Sequence, residues 1–110
     1  MNRTFTLNGQ LVHARPITTN MMCQFSEEGL DLSKMGSQPW IFARSYVAKC
    51  LNISLSEAGK RLDDHFKNGG TLTDIMKPFG EEAADSGFFQ AINRMVDKIT
   101  EPTQETEGEI

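Results

Sequence analysis

The sequence predicts an α+β domain, mainly helical, in which an N-terminal β-hairpin packs on a bundle of four to five α-helices. Three observations carry that expectation. An Asn8-Gly9 pair separates two alternating stretches, helix start and stop signals recur from Thr18 onward, and apolar residues fall at helical spacing between them. A chain of 110 residues supports a single core. We assign that core to residues 1–99 and set residues 100–110 apart as a tail.

Asn-Gly readily adopts the positive φ angles of a two-residue hairpin turn, so Thr4–Leu7 and Gln10–Arg15 are the expected strands. Pairing Leu7 with Gln10 and Phe5 with Val12 gathers Phe5, Leu7, Val12 and Ala14 on one face. Thr4, Thr6, Leu11, His13 and Arg15 take the other. Two strands are marginal alone, so helices must cover the apolar face.

Pro16 ends the second strand because it cannot donate to a ladder. A short helix capped by Thr18 or Thr19 and stopped at Gly29 follows, with Met21, Met22 and Phe25 inward. Leu30-Asp31-Leu32 is expected as a packed connection. Pro39 suits the first turn of the next helix, whose stripe is Trp40, Ala43, Val47, Cys50 and Leu51, widened by Ile41 and Ala48 on one side and by Phe42 and Tyr46 on the other. Ser54-Leu55-Ser56-Glu57 is a capping box opening a helix with the stripe Leu55, Ala58, Leu62 and Phe66. Glu57/Arg61, Lys60/Asp64 and Asp63/Lys67 stand four residues apart, as favourable pairs. Asn68-Gly69-Gly70 ends that helix. Pro78 and Gly80 are expected to kink or split the following one. A last stripe runs through Phe88, Phe89, Ile92, Met95, Val96 and Ile99.

Charge narrows the function classes. Of 15 acidic residues four lie in the last eleven positions, and all 11 Lys and Arg precede them. The body is therefore neutral and the tail, with Pro, Thr, Gln and Glu, is predicted disordered. A neutral body with an acidic tail does not suit the phosphates of nucleic acid. The longest apolar run is Trp40-Ile41-Phe42-Ala43, far short of the roughly 20 residues of a membrane span or the 7 or more of a signal peptide core. A cytoplasmic setting with reduced Cys23 and Cys50 is expected.

No catalytic, metal or cofactor residue is expected. His13, Cys23, Cys50 and His65 stand too far apart for the short ligand spacings of structural zinc sites. Glu27-Glu28, Asp63-Asp64 and Glu81-Glu82 are adjacent pairs, which point about 100° apart on a helix and cannot share one site. The two helices flanking Asn68-Gly69-Gly70 suggest an alternative, a small DNA-binding regulator of helix-turn-helix type. Its reading helix, near Thr71–Lys77, would offer Lys77 beside Asp74. The aromatics are the remaining signal. Trp40, Phe42, Tyr46, Phe88 and Phe89 are many for two helices, and such side chains concentrate at protein interfaces, so these five are the candidate partner-binding residues.

The order of these signals resembles the small tail assembly chaperones of long-tailed phages and prophages. The resemblance runs from Leu7-Asn8-Gly9 through Arg15-Pro16-Ile17-Thr18 and Leu30-Asp31-Leu32 to Ser54-Leu55-Ser56-Glu57-Ala58-Gly59. It continues through Asn68-Gly69-Gly70 to Ser86-Gly87-Phe88-Phe89, covering residues 4–95. It implies a protein of the host bacterial cytoplasm, absent from the mature virion, that coats the tape measure protein while the tail tube polymerises. It further implies a longer frameshifted form that could reach the tail tube protein, and is compatible with a homo-oligomer. It assigns no binding residues.

Overall fold

The turn that starts the chain's structure forms as its residues dictate: Asn8 and Gly9 both take positive φ, 51° and 79°. In this computed structural model, which describes residues 3–95, they join β1 (Thr4–Leu7) to β2 (Gln10–His13). The register is Phe5 with Val12 and Leu7 with Gln10, which buries Phe5, Leu7 and Val12. The ladder proper is shorter than expected. One further bond, from the N–H of Ala14 to the carbonyl of Arg3, precedes Pro16, where pairing stops.

Five α-helices follow among the described residues. They are α1 (Thr19–Glu27), α2 (Pro39–Leu51), α3 (Leu55–Lys67), α4 (Thr73–Ala84) and α5, described over residues 87–95. A 3₁₀ turn, Leu32–Lys34, lies between α1 and α2. The N-terminal hairpin packed on helices is the α+β, mainly helical fold that the sequence predicts. Residues 96–110, including the acidic tail and the stripe residues Val96 and Ile99, lie outside the described residues.

α2 is the central element, packing on β2, α3 and α4. Its buried side differs from the expected one. Phe42, Ala43, Ser45, Tyr46, Val47 and Ala48 are buried, while Cys50 and Leu51 are only partly covered. Trp40, expected on the stripe, is 55% exposed. Periodicity is ambiguous in a helix apolar over most of its circumference, and aromatic packing decides the rotation. Phe42 meets Phe25 edge-on at 5.8 Å, and Tyr46 meets Phe79 edge-on at 5.0 Å. The Tyr46 hydroxyl donates to the Arg15 carbonyl at 2.6 Å, so the phenol is buried without losing its partner. Ser45 is buried on the same side because it donates to Glu28, which also holds Lys49 at 2.7 Å. Burial alone would raise the Glu28 carboxyl, but Lys49 and Ser45 outweigh it and hold the group below its usual value.

α3 opens on half of the expected box. Ser54 Oγ accepts from the N–H of Glu57 at 3.0 Å, while the Glu57 carboxylate turns to Arg61 at 3.4 Å. Its stripe also needs correction. Ala58 and Leu62 are buried, but Phe66 is 40% exposed and His65 takes the inward place. His65 Nδ1 accepts from the N–H of Asn8 at 2.7 Å, which leaves its proton on Nε2, 3.0 Å from Asp74 Oδ2. One imidazole thus joins the hairpin turn to the ends of α3 and α4. Gly70 lies against the ring so closely that a Cβ there would overlap it.

α4 runs as one element through Pro78 instead of splitting. Proline removes a single bond, to the Asp74 carbonyl, and the burial of Ile75, Pro78 and Phe79 compensates. At its far end Glu81, Glu82 and Asp85 all pair with Arg3 just ahead of β1.

The Asp74 carboxyl is held below its usual value of 3.8, first by the N–H of Thr71 and then by His65. A depressed carboxylate contributes stability above its unfolded pKa that is lost as pH falls through the folded value. Wild-type protein should therefore lose stability on acidification below about pH 4 more steeply than Asp74→Asn. Urea melts across pH 2–6 check this, and identical slopes for the two proteins would refute it.

Candidate interaction surface

The surface most distinct from an ordinary solvated face lies where α1, the chain after it and the start of α5 meet. Thr18 begins α1 by accepting from the N–H of Met21 at 3.1 Å. The helix turns Met21, Met22 and Phe25 into the core and leaves Cys23 exposed. Gly29, at φ 84°, ends it with the left-handed residue the turn requires. Asp31 then accepts from the N–H of Ser33 at 3.0 Å and starts the 3₁₀ turn, carrying Leu32 outward. Leu30 packs on the core as expected, but Leu32 is 42% exposed, so the connection is only half packed.

Across the gap, Ser86 caps α5. Its Oγ accepts from the N–H groups of Phe88 and Phe89 at 3.1 and 3.4 Å. Gly87 therefore marks a new helix start. Met22, Cys23, Ser26, Leu30, Leu32 and Phe88, with Gly29 and Asp31, line an open groove of about 510 Å³. Asp31 stays charged at its rim, its carboxyl lowered by bonds from Ser33.

α5 continues this surface. Phe88, Phe89, Ile92 and Met95 share one side by helical spacing, yet none of the residues 87–95 is fully buried. Phe88 and Phe89 stand edge to face at 5.4 Å, half-buried, and Met95 is 53% exposed. Among the described residues, the apolar stripe of α5 is left half in water.

The five candidate aromatics thus separate. Phe88 lines the groove, Phe89 packs beside it, and Trp40 stands exposed in the first turn of α2. Phe42 and Tyr46 are 0% exposed and belong to the core, because their rings close on Phe25 and Phe79. They are withdrawn as partner-binding residues. Met22, Leu30 and Leu32 join the surface instead. The signal for Leu32 was Asp31 two residues ahead of Ser33, an Asx turn that redirects the chain.

Among the described residues, no three His, Cys, Asp or Glu side chains are grouped to hold a metal ion, and no helix is long and apolar enough to cross a membrane. Burial raises the Cys50 thiol above its usual value, which disfavours a reactive thiolate. Comparison with protein families, curated proteins and solved structures gives no match.

The separation of the aromatics is measurable. Phe42→Ala should cost about 3–5 kcal/mol in urea unfolding, as for a filled core site, whereas Trp40→Ala should cost less than about 1 kcal/mol. Equal losses would contradict these placements.

Proposed function

We propose that this protein is a phage or prophage tail assembly chaperone, binding the tape measure protein and keeping it soluble during tail morphogenesis. The observation that carries the reading is the apolar surface that runs from the Met22–Leu32 groove through Phe88 along α5. A chaperone of this kind must offer apolar contact to its client while remaining soluble itself. The neutral, mixed-charge body supplies the second property, and the half-buried aromatics and methionines supply the first. Burying one such side chain is worth about 1.5–3 kcal/mol, and many weak contacts along a long client add through avidity. The order of turn and capping signals that resembles the tail chaperones supports the same assignment.

The regulator reading draws less support. The helix after Asn68-Gly69-Gly70 is α4, whose apolar side is buried and whose charges are Asp74, Lys77, Glu81 and Glu82. One cation among three carboxylates is a poor match to DNA phosphates.

Co-expression with the tape measure gene of the same tail operon tests the proposal. Wild-type protein should bring the client into the soluble fraction and co-purify with it. Trp40→Ala and Phe88→Ala should each reduce the co-purified amount while the far-UV spectrum stays unchanged. A client that remains insoluble beside excess wild-type protein would sink the reading.

A further inference from the structure

The chain contains two Asn-Gly sequences, Asn8-Gly9 and Asn68-Gly69, and the fold brings them face to face. The Asn68 side-chain amide donates to Asn8 Oδ1 at 2.9 Å, across 60 residues of sequence. Asn-Gly can react with itself. Glycine has no side chain to shield its main-chain nitrogen, which can therefore attack the amide carbon of the preceding asparagine. The fold secures the two asparagines differently. Asn68 is held by its own neighbourhood: its N–H and its side-chain amide both donate to the Asp64 carbonyl. The Gly69 N–H donates to Phe66 and the Gly70 N–H to His65, so the end of α3 is closed by local bonds. Asn8 relies on residues far along the chain, its N–H on His65 Nδ1 at 2.7 Å and its Oδ1 on Asn68. Gly9 is exposed, and its N–H makes no hydrogen bond among the described residues.

We propose that Asn8 is a site of spontaneous deamidation, held off in the folded protein by His65 and Asn68 and opened whenever the hairpin tip lifts from them. Positive φ at both Asn8 and Gly9 makes this a type I′ turn, in which the ψ of Asn8 is about 30°. That angle carries the Gly9 nitrogen away from the Asn8 side chain. Ring closure needs a rotation about the Asn8 Cα–C bond, which the docked turn does not allow. A two-stranded hairpin is marginal by itself, so its tip opens locally at small cost once the two distant contacts are lost. The same opening leaves the end of α3 closed. In the open tip the Gly9 nitrogen bonds to Asn8 Cγ, the Cγ–Nδ2 bond breaks, and ammonia leaves carrying the proton of that nitrogen. Water then opens the succinimide. Addition at Cγ leaves aspartate, and addition at the main-chain carbonyl leaves isoaspartate, which routes the chain through the former side chain. Isoaspartate adds a main-chain atom to a turn built for two residues, so the reacted tip does not resume its seat on His65. Modification is therefore one-way, and it depends on neither a client nor the proposed function.

Incubation of the full-length protein in mildly alkaline buffer, followed by peptide mass with fragmentation, tests it. In the folded protein Asn8 should convert ahead of Asn68, and at least about fivefold more slowly than in urea, where the two should convert at similar rates. Asn68→Ala, at an exposed position, removes one of the two contacts that hold Asn8. It should speed Asn8 conversion by about fivefold, the weight of a single hydrogen bond, and leave the rate in urea unchanged. Amide hydrogen exchange of the wild-type protein gives a reading that needs no substitution: the Asn8 N–H should exchange before the Gly70 N–H. Asn68 converting first would overturn the proposal, as would Gly70 exchanging first. So would an Asn8 that reacts as fast folded as unfolded, or one without product by the time the protein in urea is fully converted. An Asn68→Ala protein with an unchanged far-UV spectrum and an unchanged Asn8 rate would overturn it equally.

Discussion

The contact on which the rest of this structure depends is the aromatic packing of α2 across α1 and α4. Phe25, Phe42, Tyr46 and Phe79 are each at most 1% exposed, and their centroids lie 5.0–6.4 Å apart. Phe5 extends the cluster to the hairpin at 6.2 Å from Tyr46. Once these rings are committed, the rotation of α2 is set, Trp40 is turned out, and the covering of the hairpin's apolar face is fixed. The division between core and surface aromatics follows from this one choice. A small domain cannot bury every large side chain, and Trp40 is among those left in water.

The polar counterpart is His65. It is 3% exposed yet has every ring nitrogen engaged, accepting from the Asn8 backbone and facing the Asp74 carboxylate. A buried imidazole without such partners would cost free energy, whereas a satisfied one orients the pieces it joins. Here the pieces are the hairpin tip, the α3–α4 turn and the first turn of α4. The Arg3 cluster does the same at the opposite end of α4. Two polar clamps therefore hold β1 along α4, while the apolar core holds it from beneath.

Local chemistry made much of this legible from the residues. The hairpin register, the Thr18 and Ser54 caps, the Gly29 stop and the Pro39 start each rest on contacts within a few residues. What was not legible depends on partners distant in sequence. The rotation of α2 depends on Phe25 and Phe79, the exchange of Phe66 for His65 depends on Asn8, and the continuity of α4 through Pro78 depends on burial against the rest of the fold. The site shared this fate. The aromatic chemistry of Phe88, Phe89 and Trp40 is visible in the sequence, but the groove needs α1 and α5 brought together, which no local pattern encodes.

The Arg3 clamp also bears on how the chain is made. Its partner Glu82 is 79 residues further on, so during synthesis the first strand can pair with β2 long before this clamp and the α4 packing can form. At roughly 5–20 residues per second, that interval is about 4–16 s. Throughout it the Phe5, Leu7 and Val12 face has neither α4 nor its full helical cover. The growing chain thus passes through a stage in which that apolar face is only partly covered, and the cover is completed when α4 folds back onto β1.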